Sequence, residues 1–169
     1  SDVHRDCFRS PSVALSFSKF SPCLRRLSRE HGTWTHSRPK AFKHNVLNVV
    51  WHIRLGDKET HNPDSDYFAN IFEGLSPLFA SANAVKHFLV ADWPHVSAQR
   101  KQQYENSFRR KFSQVETPKL SLESTLLHFM HADVLVGGGS SFPRLAAVFS
   151  EHPLYVNTAP YVGWRYLAE

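Results

Sequence analysis

The chain has 169 residues, of which 41% are hydrophobic, enough for one globular domain with a real core and short of two. Its 20 Lys and Arg stand against 15 Asp and Glu, and the formal charge of +5 favours an anionic ligand or surface without selecting one. No apolar run approaches the roughly 20 residues that span a bilayer, and no zinc-finger, KH or RRM signature is present, so nucleic acid is not an expected partner.

The opening residues, SDVHRDCFRS, hold neither a methionine nor a charged-then-apolar leader, and the chain reads as a piece of a longer protein. Any membrane attachment is expected only through a segment outside it. Residues 1–44 read as a partly helical N-terminal extension: VALSFSKF alternates like a short strand, and SPCLRRLSRE predicts a helix capped by Ser21, with Pro22 in its first turn and Gly32 as its stop. Cys7 and Cys23 have no CxxC spacing; one disulfide and two free thiols both fit.

Residues 45–169 carry the domain. NVLNVVWHI is a β-branched run too continuous for a half-exposed strand, and it predicts a central strand covered on both faces. YFANIFEGLSPLF follows helical spacing, with Gly74 and Pro77 placed to bend or end the helix early. VKHFLVAD predicts a second buried strand and SAQRKQQYENSFRRKF a polar helix facing the surface. SQVET gives a short third strand, and SLESTLLHFMHA a helix capped by Ser121 or Ser124 that buries Leu122, Leu126, Leu127 and Met130. DVLVGGGSSFPRLAAVFSEHPLYVN then supplies strand, glycine turn, helix and strand. The alternation predicts an α/β fold: a Rossmann-like three-layer domain with a mainly parallel sheet.

In such sheets ligands bind where the carboxyl ends of the strands meet helix N-termini. Three of those ends are chemically loaded: His52, Arg54 and Asp57 after the first strand, Asp92 and Trp93 after the second, and Gly137 to Ser141 after the fourth. A guanidinium, glycine-turn N–H groups, hydroxyls at a helix start and carboxylates are the parts that hold a nucleoside diphosphate. Simpler readings exist for each: a local Arg54–Asp57 pair, Ser140 as an ordinary N-cap, and Asp92 as a helix cap. GGGSS is neither GxGxxG nor a P-loop, and the GxSxG elbow of serine hydrolases is absent. His128 and His131, three apart, fit a buried or capping role better than a metal site.

With these motifs assembled, the stretch from Asn45 to Asn157 resembles the C-terminal, donor-binding half of a GT-B fucosyltransferase. VVWHIRLGDK is similar to that family's His-x-Arg strand end, HADVLVGGGSSFPRLAAVFS to its later Ser-Ser-Phe motif, and HFLVADWPHV to the acidic turn between them. At Leu55 many members carry a second arginine. The resemblance implies that the chain binds GDP-fucose or a related nucleotide sugar and passes the sugar to a glycan acceptor with inversion. Arg54 would clamp the pyrophosphate and stabilise the leaving group, and no base is assigned. His52, Asp57, Asp92, Gly138, Gly139, Ser140, Ser141 and Phe142 would surround the donor. It further implies no metal and no cofactor beyond the GDP-sugar donor, and a Golgi or secretory lumenal location. DSD at Asp64 to Asp66, a literal match to a metal-binding DxD, reads as a helix cap. The alternative to a transferase is a non-catalytic α/β module binding a nucleotide, a polyanionic glycan or a protein through the same basic edge.

Overall fold

In a computed structural model the residues described are 38–54, 65–91, 96–137, 140–150 and 154–157. The N-terminal strand and helix expected before Gly32 lie outside them, as do Cys7, Cys23, Asp57, Asp92, Trp93, Gly138 and Gly139. Among the described residues nine elements follow in order: β1 (Leu47–His52), α1 (Ser65–Ala80), β2 (Val85–Val90), α2 (Ala98–Lys111), β3 (Val115–Glu116), α3 (Leu122–His131), β4 (Val134–Gly137), α4 (Ser141–Phe149) and β5 (Leu154–Asn157).

The five strands form one parallel sheet in the order β3-β2-β1-β4-β5. Side chains alternate across it, as strand geometry requires. Val49, Trp51 and Ile53 of β1 and its continuation point to one face, where they pack with Ile71, Leu75 and Phe79 of α1 and Tyr104 and Phe108 of α2. Val50 faces the other way, packing with Phe88, Leu135 and Tyr155 against Phe129 and Met130 of α3 and Ala146 and Ala147 of α4. The result is three layers with β1 in the middle, its residues 48–51 buried from both sides. The helices change faces at the point where strand order reverses, as a single crossover hand demands.

Three local expectations are overturned. Helix α1 runs unbroken through Gly74 and Pro77 to Ala80. Proline there forfeits a backbone bond one turn from the end, and burial of Leu75 and Phe79 on either side of it offsets the loss. Leu122, expected in the core, is 75% exposed. It is the first residue of α3, just after the Ser121 cap, and the face that reaches the sheet begins a turn later with Leu126 and continues through Phe129 and Met130. The polar helix α2 is not wholly surface-facing, since Tyr104 and Phe108 are buried.

At the amino end of the sheet, Asn48 is fully buried within an otherwise apolar strand. Its backbone N–H and its Nδ2 both donate to Asp133 Oδ2, at 2.7 and 2.9 Å, and the Asp133 N–H returns a bond of 3.0 Å to the Asn48 carbonyl. Asn48 Nδ2 also meets the Lys43 and Val46 carbonyls. These bonds tie the start of β1 to the start of β4 and fix the register between them. Ahead of β1, Phe42 is buried and stacks at 4.8 Å on Phe88 of β2.

On the opposite face His87 lies 3.8 Å from Phe112, ring to ring, and its Nδ1 accepts a 3.1 Å hydrogen bond from Trp51 Nε1. Burial lowers its pKa to about 4, and a proton on Nδ1 would break the bond from Trp51. The unfolded chain takes up that proton near pH ~6.5. Stability is therefore fully present above that pH and falls as pH drops toward 4, on the order of 1 kcal/mol for each unit from this residue. Urea unfolding between pH 7.5 and 5 should show a midpoint that declines with acid, while the His87 Cε1 proton resonance keeps its neutral shift at pH 5.5. A His87 midpoint near 6.5 in the folded protein would contradict the assignment.

Candidate functional site

The reversal of strand order falls between β1 and β4, and this is where an open α/β sheet leaves a crevice at its carboxyl edge. Pairing sets the parts beside one another: His52 is in register with Val90 of β2 and with Gly137 of β4. Ile53 continues the strand by donating to the Val90 carbonyl at 2.9 Å, and it is fully buried. Arg54, half-buried, follows as the backbone leaves the sheet.

His52 points to the face covered by α3 and α4, with its ring edge-on to Phe129 at 5.2 Å. Phe129 in turn meets Phe142, the second residue of α4, at 5.4 Å. Burial and then the neighbouring Arg54 guanidinium lower the His52 pKa to about 4. The imidazole is thus neutral at pH 7, and its Nδ1 is buried without a hydrogen-bond partner among the described residues. A neutral ring nitrogen of this kind can donate to or accept from a ligand, but it brings no charge to the site.

Helix α4 opens directly from β4. The Ser140 Oγ accepts from the Phe142 N–H at 3.3 Å, so Ser140 is the N-cap, and the residue is buried. Its hydroxyl proton and the Ser141 N–H are the donors that the start of this helix can direct toward an anion, since Pro143 has no N–H. Ser141 is the first helical residue. Pro143 sits in the first turn, where its missing N–H costs no helical bond. A Cβ on Gly137 would come within 2.8 Å of Tyr155 Cε2 and 3.0 Å of Pro143; the absence of a side chain lets α4 start close against the sheet. Burial raises the Tyr155 phenol pKa, with the Arg144 guanidinium working in the opposite direction.

A cavity of about 700 Å³ opens at this edge, within the roughly 300–1,000 Å³ typical of small-molecule sites. His52, Val90 and Ala91 form its floor, and Phe142 one side. Val96, Ala98 and Lys101 come from the approach to α2 and its first turns, and Lys119, Leu120, Leu122 and Thr125 from the β3–α3 connection and α3. Three helices thus direct their N-terminal turns at one space. Of the residues the sequence singled out, His52 and Phe142 line this cavity, whereas Ser140, which caps the helix carrying Phe142, and Arg54, two residues beyond His52, lie outside its lining. Lys101, Lys119 and Leu122 were missed as site residues in the sequence, although β3 ends at this edge like the other strands and TPKLS follows it.

A second groove, of about 470 Å³, lies at the opposite, amino end and is lined by Lys43, Lys86, Arg109 and Glu116 among others. Lys86 is already paired with Glu116 at 2.7 Å. Arg109 belongs to the basic last turn of α2, where cations offset the helix dipole. Among the described residues there is no group of three or more His, Cys, Asp or Glu able to hold a metal ion, and no helix long and apolar enough to cross a membrane.

No protein-family model matches the chain, and no curated protein matches it either.

Replacing Gly137 with Ala should force β4 away from Tyr155 and Pro143 and cost about 1–3 kcal/mol. Gly74→Ala, on an exposed helical position with no heavy atom within 4 Å of the added Cβ, should instead gain roughly 0.5–1 kcal/mol. Urea denaturation of the two variants reads both signs; a neutral Gly137→Ala would contradict the close approach.

Proposed function

We infer that this chain is a nucleotide-sugar-binding domain of the fucosyltransferase-like, GT-B type, and that its donor is GDP-fucose or a closely related GDP-sugar. One observation carries the reading: parallel pairing of β1 with β4 sets His52 opposite Gly137, so the His-x-Arg strand end lies beside the strand end that leads to the helix start at Ser140 to Phe142. Two motifs about 85 residues apart in the chain, which resemble that family separately, are neighbours in space.

The chemistry follows from the groups present. Arg54 offers a planar, permanently charged fork to a diphosphate, and the start of α4 offers the Ser140 hydroxyl and the Ser141 N–H with the helix dipole behind them. Neutral His52 gives a hydrogen bond to an uncharged part of the donor, while Leu120, Leu122 and Phe142 supply apolar surface for a flat ring. In sugar transfer with inversion, negative charge builds on the departing GDP, and in this reading Arg54 stabilises that charge more strongly in the transition state than in the bound donor. The acceptor in this reading is a glycan, and no residue is assigned as the base that deprotonates it.

Isothermal titration with GDP, GDP-fucose and UDP tests the assignment. GDP and GDP-fucose should bind and UDP should bind more weakly. Arg54→Ala should weaken GDP by roughly tenfold to a hundredfold, the loss of one charge-assisted contact. Absence of heat with GDP, or equal weak binding of all three that disappears with salt, would instead favour a nonspecific anion-binding surface.

A further inference from the structure

The cavity beside His52 has a wall that the strand-end motifs do not account for. Its described lining includes two lysines, Lys101 and Lys119, and no carboxylate. Lys101 lies one turn into α2, whose N-terminus is capped by Ser97 and carries no acidic residue in its first turn. Lys119 lies in the connection that leads from β3 into α3.

That connection is braced. Glu105 of α2 accepts a 2.8 Å hydrogen bond from Thr117 Oγ1 and pairs with Lys101 Nζ at 3.6 Å. One carboxylate therefore fastens the β3–α3 connection to α2 and holds Lys101 along the same wall. It also absorbs part of the Lys101 charge. Among the described residues Lys119 takes part in no ion pair, and it is exposed at the cavity's rim. Across the cavity, the buried Nδ1 of His52 is unpartnered among the described residues and Arg54 stands beside that ring. The described lining thus combines two lysines, apolar surface and the neutral imidazole of His52, and Arg54 follows His52 by two residues just outside that lining.

We propose that Lys119, on a connection positioned by Glu105, is a second phosphate-contacting residue of this cavity, so that a nucleoside diphosphate is held between the Arg54 edge and the Lys119 wall. The inference rests on the nucleotide-binding reading above and adds a residue on a different element. Binding of a diphosphate then depends on two cations from different elements, whereas a nucleoside alone uses only the apolar surface and His52. The exposed position of Lys119 makes its replacement harmless to the fold.

The test is titration of the full chain with GDP, GMP and guanosine, comparing wild type with Lys119→Ala, Lys119→Glu and Lys119→Arg at two salt concentrations. Lys119→Ala should weaken GDP about tenfold and flatten its salt dependence. Lys119→Glu should weaken it further, Lys119→Arg should hold it near wild type, and guanosine should bind all four proteins alike. Thermal midpoints equal to wild type verify that the variants are folded. If wild type binds GDP and Lys119→Glu binds it within twofold of wild type, the Lys119 assignment is overturned and the Arg54 site stands. If wild type does not bind GDP at all, the nucleotide reading falls and this inference with it.

Discussion

The parallel pairing of β1 with β2 on one side and β4 on the other is the constraint from which the rest follows. A strand paired on both edges and covered on both faces has only its carboxyl end left to meet solvent, and in this chain that end is His52 to Arg54. Because β1 sits where the winding direction reverses, the helices that follow β1 and β4 pack on opposite faces of the sheet, the arrangement that leaves a crevice at the carboxyl edge. The crevice is thus a product of topology, and the residues around it supply its chemistry.

Holding that crevice in shape depends on contacts at both ends of the sheet. At the amino end, Asp133 and Asn48 exchange three hydrogen bonds that set β4 against β1. A slip of one residue would turn the apolar side chains of β4 to the wrong face and move Gly137 away from His52. At the carboxyl end, Gly137 admits Pro143 and Tyr155 at close range, so that α4 begins at the sheet surface with Ser140 as its cap. The ring series His52, Phe129, Phe142 spans from the central strand to that helix start and packs against one side of the imidazole. Burial keeps His52 neutral, leaving the positive charge of the site to Arg54 and the lysines of the far wall.

Much of this was legible in the residues, for identifiable reasons. A continuous β-branched run such as NVLNVVWHI predicts a central strand because every side chain must find apolar company, and the alternation of such runs with helical spacing predicts the parallel sheet. Local signals failed where tertiary packing outweighed them. Pro77 does not end α1, since Leu75 and Phe79 around it are buried, and Leu122 is exposed because it precedes the turn of α3 that meets the sheet. Asn48 is polar within that run, and only its distant partner Asp133 accounts for its burial. The far wall of the cavity was hidden for a related reason. Lys101, Lys119 and Glu105 lie on a helix and a connection that carry no motif, and their relation to His52 exists only after the strands are ordered.

Amide chemical-shift mapping with GDP most directly tests whether the reversal between β1 and β4 creates the binding site. The account predicts the largest changes at Arg54, at Ser140 to Phe142 and at Lys119 to Leu122, with residues around Lys43, Lys86 and Arg109 unmoved. Changes confined to that amino-end groove would contradict it.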